Sequence, residues 1–228
     1  MDESLIEHLE ELRIRIIRVI IYLFIFTLTS FVFSLKIIDF IKKPIGEIYF
    51  FSPQEAFIVR LKVSLLSGIF FTIPFLIYEL WAFIKPGLYE NEIKNIKPFI
   101  ILSPFLFYAG FFFSIFVIYP LGIKVLLSFA GNVMLPLMHI SDIVNFLLYV
   151  TIFTGLLFEL PILILILVKL NVLDYKLLKS KRREVIVLIF ILAALVTPST
   201  DFITMSILAI PIVLLFELSI FFAKKLKK

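Results

Sequence analysis

The sequence predicts an all-α membrane protein with six transmembrane helices. Three observations carry this. First, 62% of the 228 residues are hydrophobic, against roughly 45–50% in a soluble domain. Second, the mean hydropathy is +1.13 and 28 residues are Phe. A soluble fold of this length cannot hide that much apolar surface, so lipid must be the solvent. Third, the apolar residues fall into six runs separated by charged or turn-forming stretches. A crossing helix needs about 20 mostly apolar residues.

The first run covers 16–35. It follows the stretch HLEELR at 8–13, where Glu7, Glu10 and Glu11 precede Arg13, Arg15 and Arg18. That order is unlike a signal peptide, which starts basic and ends in small residues, so the first span reads as retained. Beyond it, Ile37, Ile38, Phe40 and Ile41 predict a short amphipathic helix lying on the outer surface, ended by Pro44 and Gly46. The second run, 63–84, is interrupted only by Glu79. The third, 98–123, has no charge, and the fourth, 143–168, has one, Glu159. Prolines at 74, 104, 120, 161 and 211 predict bends. The last two runs, 185–197 and 202–223, flank a PSTD turn. As helix, the fifth run reaches only about 20 Å into a core about 30 Å thick. This hairpin is therefore either re-entrant or spans a locally thinned bilayer. The chain reads as one membrane domain, 1–228, without an internal repeat.

Basic residues give the orientation. Of the 22 Lys and Arg, 16 fall on segments sharing the N-terminal side, from Arg13 through Lys85 and Arg182 to Lys228. Lys36, Lys42, Lys43, Arg60, Lys62 and Lys124 fall on the other. The positive-inside rule places both termini in the cytoplasm, in a cell's inner membrane. The net charge of +5 thus reports topology and calls for no nucleic acid.

The sequence carries no P-loop, GxSxG, HExxH or GxGxxG signature and no Cys. We expect neither an enzyme nor a bound cofactor or metal. What remains is a set of acids. Glu159 lies near the middle of the fourth span, two residues before Pro161, and an intramembrane carboxyl is a functional candidate by default. It could serve instead as a proton or cation relay in a secondary transporter. Glu79 and Glu217 lie nearer span ends and read as groups that snorkel to the interface. Glu11 is spaced to pair with Arg15. Glu7, Glu10 and Glu11, with Glu90 and Glu92 in the loop WAFIKPGLYENE, read as a solvated face or as an acidic patch for a cationic ligand. Arginine suits such a patch through bidentate pairing.

The stretches HLEELR, WAFIKPGLYENE, FYAGFFFSIFVIYP, FELP, KRR, TPSTD and LAIPIVLLFE stand in the order and spacing of the TatC family. TatC is the polytopic core of the twin-arginine protein translocase, and the resemblance covers nearly the whole chain. It implies a concave, glove-like bundle with short helices 5 and 6, and favours two short crossings over a re-entrant hairpin. It implies a cytoplasmic site for the paired arginines of signal peptides, in which Glu11 and Glu92 hold the arginines and Arg13, Phe83, Pro86 and Leu88 shape the site. Glu159 matches the family's mid-membrane glutamate, Pro44 its outer-loop proline, and Asp201 the acid of the final turn. The implied partners are TatA- and TatB-type single-span proteins, cargo with twin-arginine signal peptides, and further copies of the chain. The implied energy source is the proton motive force. Departures exist: Ile93 follows the loop glutamate where a basic residue is common, and Thr200 replaces a proline. Met205 falls where a Gln is frequent, so Thr204 or Ser206 would supply any polar partner contact there.

Overall fold

A computed structural model of the chain describes residues 3–129, 137–197 and 202–226. It is helical throughout: α1 (Glu3–Lys42), α2 (Pro53–Ile84), α3 (Glu90–Phe113), α4 (Tyr119–Ser128), α5 (Ile140–Lys169), α6 (Tyr175–Ser180), α7 (Arg182–Val196) and α8 (Phe202–Leu226). A 3-10 turn, Lys85–Gly87, joins α2 to α3, and a π-helical turn, Ser114–Ile118, joins α3 to α4. Among the described residues, five helices are long and apolar enough to cross a membrane. α7, at 15 residues, rises only about 22 Å, and the turn after it, with Asp201, lies outside the described residues.

α1 corrects one expectation. Its 40 residues run unbroken from the acidic head through Ile41, so no separate surface helix follows the first span. Nothing between Leu35 and Ile41 breaks a helix. The chain turns only at Pro44 and Gly46, the latter with φ +93°, a conformation that suits glycine. The end of α1 is also held from outside, because the Tyr119 hydroxyl donates to the Ile41 carbonyl at 2.9 Å. Buried at 6% exposure, Ile41 is a core residue.

Packing follows small residues, as expected where lipid removes the hydrophobic drive between helices. α1 lies on α2 at Gly68, where a Cβ would come within 2.2 Å of the Thr27 hydroxyl oxygen. Ser30, Ser34 and Ser64 are buried along the same crossing. On α3 and α5 the fit is reciprocal: Gly110 receives Phe158, and Gly155 receives Phe107. α5 is the shared staff. Its first turns (Ile143, Val144, Leu147) pack with α2, α3 and α4, and its later ones (Leu157, Leu165, Val168) with α7 and α8.

Two prolines show how bends stay satisfied. Pro74 has no N–H for the Phe70 carbonyl, and Tyr108 donates its hydroxyl there at 3.2 Å. Pro120 follows the π-helical turn, in which Tyr119 N–H reaches back to the Ser114 carbonyl. α5 ends on Asn171, in the left-handed region at φ 57°. There the Val172 amide bonds the Leu167 carbonyl at 2.9 Å.

Candidate functional site: an acidic head and an apolar groove

The antiparallel run of α1, α2 and α3 gathers the sequence-predicted residues at the end of the bundle that carries the N-terminus. The N-terminal turns of α1 lie against the C-terminal turns of α2, where the His8 and Phe83 rings stack at 4.3 Å. Glu11 accepts from Arg15 Nη2 at 2.6 Å and from Nε at 3.1 Å, as the i,i+4 spacing predicts. Arg15 then donates through Nη1 to Glu79 at 2.9 Å, and Arg18 lies 3.7 Å from the other Glu79 oxygen. Glu79 is only 4% exposed. It does not snorkel freely; it anchors two arginines of α1. Glu217 likewise pairs with Arg182.

Glu7, Glu10 and Glu11 line one open depression with Ile14, Arg15 and Arg18. Arg13 is exposed and, two residues from Glu11, projects from a different face of α1. Glu92 lies in the first turn of α3, where its carboxylate accepts from the Tyr89 amide at 2.9 Å, one half of a capping box. Pro86 is exposed in the 3-10 turn, and Leu88 is half-buried.

Leu88 leads inward. It lines a groove of about 190 Å³ with Trp81, Ile84, Ile100, Leu163 and, at the inner end, Glu159. Ser103 donates to one Glu159 oxygen at 2.6 Å. The other oxygen is buried without a hydrogen-bond partner. The structure therefore places Leu88, four residues before Glu92, and the mid-span Glu159 along one apolar surface.

The remaining candidates lie elsewhere. Pro44 is exposed at the far end, on the rim of an apolar cavity of about 510 Å³ between α1, α2 and α3. Thr204 is buried near the start of α8, and Met205 packs half-buried against the core there. His8, Trp81 and Ser103 also belong to this end of the molecule, though no sequence pattern assigns them a role. Trp81, the only Trp, and His8 open two of the family-like stretches, whereas Ser103 carries no sequence signal.

A sequence model described as "Sec-independent protein translocase protein (TatC)" matches residues 7–211. The chain belongs to the TatC family. It is 34% identical over 228 residues to the TatC of Carboxydothermus hydrogenoformans, covering 98% of this chain and 94% of that protein. It is also 34% identical to the TatC of Aquifex aeolicus, over 96% and 94% of the two chains. A crystal structure described as that of the twin arginine translocase receptor TatC superimposes with a TM-score of 0.83 at 33% identity, covering 97% of this chain and all of that one. The protein is thus a membrane component of a Sec-independent protein translocase. TatC membership gives no support to the secondary-transporter alternative.

Proposed function

We propose that this chain is the signal-peptide receptor and core subunit of a twin-arginine translocase. The observation that carries this is the apolar groove from Leu88, just before α3, to Glu159, with the acidic depression of α1 at the same end of the bundle. The peptide's two arginines meet Glu11 and Glu92 at the cytoplasmic face. Its apolar stretch lies along Trp81, Ile84 and Leu163 towards Glu159. Bidentate geometry makes guanidinium the better ligand than ammonium. Glu11 already accepts one guanidinium, that of Arg15, and an incoming arginine replaces it while Arg15 stays on Glu79. At Glu92 the ligand displaces a helix cap, at a cost of about 1 kcal/mol.

In this reading the whole chain is one membrane domain of six crossings in the cell's inner membrane, with both termini cytoplasmic and a concave face. α7 and α8 cross where the bilayer thins. The partners are TatA- and TatB-type single-span proteins and further copies of the chain, recruited near Pro44, Asp201 and the Thr204–Met205 turn of α8. Transport of folded cargo draws on the proton motive force, with no cofactor and no catalysis by this chain.

The test is binding of a twin-arginine signal peptide to the purified chain, beside its twin-lysine form. We expect tighter binding of the arginine form and about tenfold loss in Glu11→Gln and in Glu92→Gln, the loss of one charge-assisted hydrogen-bond pair. Equal binding of both peptides, unchanged in the variants, overturns the reading.

A further inference from the structure

Away from the groove, a second cleft opens between α6 and the last turns of α8. Among the described residues it is lined by Lys176, Lys179, Arg182 and Lys224, with Glu217 as the one carboxylate and Ile220 and Phe221 as its apolar floor. The volume is about 710 Å³. Its walls are fixed. Leu178 is buried in the same core cluster as Phe216 and Ala223 of α8, which seats α6 on α8. Arg182 is tied to Glu217, so the one acid among the described residues lining the cleft is already neutralised. Lys176, Lys179 and Lys224 are exposed, and three positive charges are left over.

The cleft opens onto a track. Leu214, Leu218 and Phe221 are 59%, 50% and 53% exposed, and their spacing puts them on one face of α8. That stripe runs from the lysines down the apolar part of a helix long enough to cross the bilayer. The cations therefore sit at headgroup height, above a surface that acyl chains wet. An acidic protein tail or a nucleic acid would use the lysines but not the track. A zwitterionic lipid would bring its own ammonium against them.

We propose that this cleft binds one anionic phospholipid, its phosphate against Lys176, Lys179 and Lys224 and an acyl chain along Phe221, Leu218 and Leu214. Basic clefts between helices at the membrane surface suit such headgroups, because each cation near the surface attracts the phosphate. The inference is independent of the signal-peptide reading, because none of these residues touches the groove.

The test is native mass spectrometry of the purified full-length chain with defined lipids added. Phosphatidylglycerol is expected to stay bound under activation that strips phosphatidylcholine. The triple variant Lys176→Gln/Lys179→Gln/Lys224→Gln should lower its occupancy at least about tenfold, while the corresponding Lys→Arg triple retains it. A control triple, Lys85→Gln/Lys94→Gln/Lys97→Gln, removes equal charge elsewhere and should change nothing. Equal retention of both lipids overturns the site, as does equal loss in the two Gln triples. Inorganic phosphate binding as tightly as the lipid would remove the role of the track and overturn it as well.

Discussion

The two ends of the bundle are both tied by carboxylates, but with different cations. At the N-terminal end Glu79 is buried under Arg15 and Arg18. At the far end Glu55 meets His139 at 2.6 Å. His139 also lies 3.2 Å from Asp142 and near the Phe51 ring, and its backbone bridges to Tyr49. Thus His139 joins the loop after α1 to the start of α5, as Arg15 joins α1 to α2. Arginine stays charged at every physiological pH, whereas histidine does not. One tie is permanent and the other depends on proton concentration. The pairing of the His139 ring with the Glu55 carboxylate, and with that of Asp142, raises the His139 pKa above its ordinary 6.5.

Breaking the permanent tie should have the largest effect. Glu79→Gln leaves Arg15 and Arg18 beside a buried neutral amide, and we expect a loss of about 3 kcal/mol, read as a fall in the unfolding midpoint of the detergent-purified chain. An unchanged midpoint would mean the arginines find water instead. Next is Tyr119→Phe at the far end, which removes the buried donor to the Ile41 carbonyl and should cost about 1–2 kcal/mol. Hydrogen exchange should then rise at the last turn of α1 and leave the Arg15 region unmoved. Glu11→Gln sharpens the comparison from the other side. Its pair with Arg15 is partly exposed, and such pairs add little, so stability should change far less than in Glu79→Gln while signal-peptide binding falls. A large drop in stability would make Glu11 a structural residue.

The smallest effect is the pH dependence of the far-end tie. A pKa raised on folding means the protonated form is stabilised. That contribution is complete below the unfolded value near 6.5 and is lost as pH rises through the higher folded value. Unfolding midpoints between pH 6 and pH 9 should therefore fall with pH, and His139→Gln should flatten the slope. A variant with the same slope as the parent would place the pH response elsewhere.

Part of the geometry of the candidate site is legible in the sequence, for particular reasons. The i,i+4 pair of Glu11 and Arg15 follows from helical spacing alone. Glu159 stood out because a lone charge in 26 apolar residues has few structural excuses. Glu79 was visible, but its role was not. Its partner Arg15 lies 64 positions away, and no periodicity reports contacts between separate helices. The same holds for Leu88 and Glu159, which share one groove. The end of α1 misled for a local reason. A half-apolar pattern after a span looks the same whether the helix continues or lies flat, and the hydrogen bond from Tyr119 settles it.

By itself, the sequence determined the solvent, the helical class and the apolar runs, because composition and spacing act over a turn or two of helix and need no partner. It also determined the family, through ordered motifs along nearly the whole chain. Only the tertiary structure decided which helix faces meet, at Gly68, Gly110 and Gly155. It alone decided which acids are neutralised, at Glu79 and Glu217, and which apolar surfaces stay open as a groove and a cleft. Those depend on side chains far apart in the chain coming within a few ångströms, and small residues at the crossings set that distance in lipid.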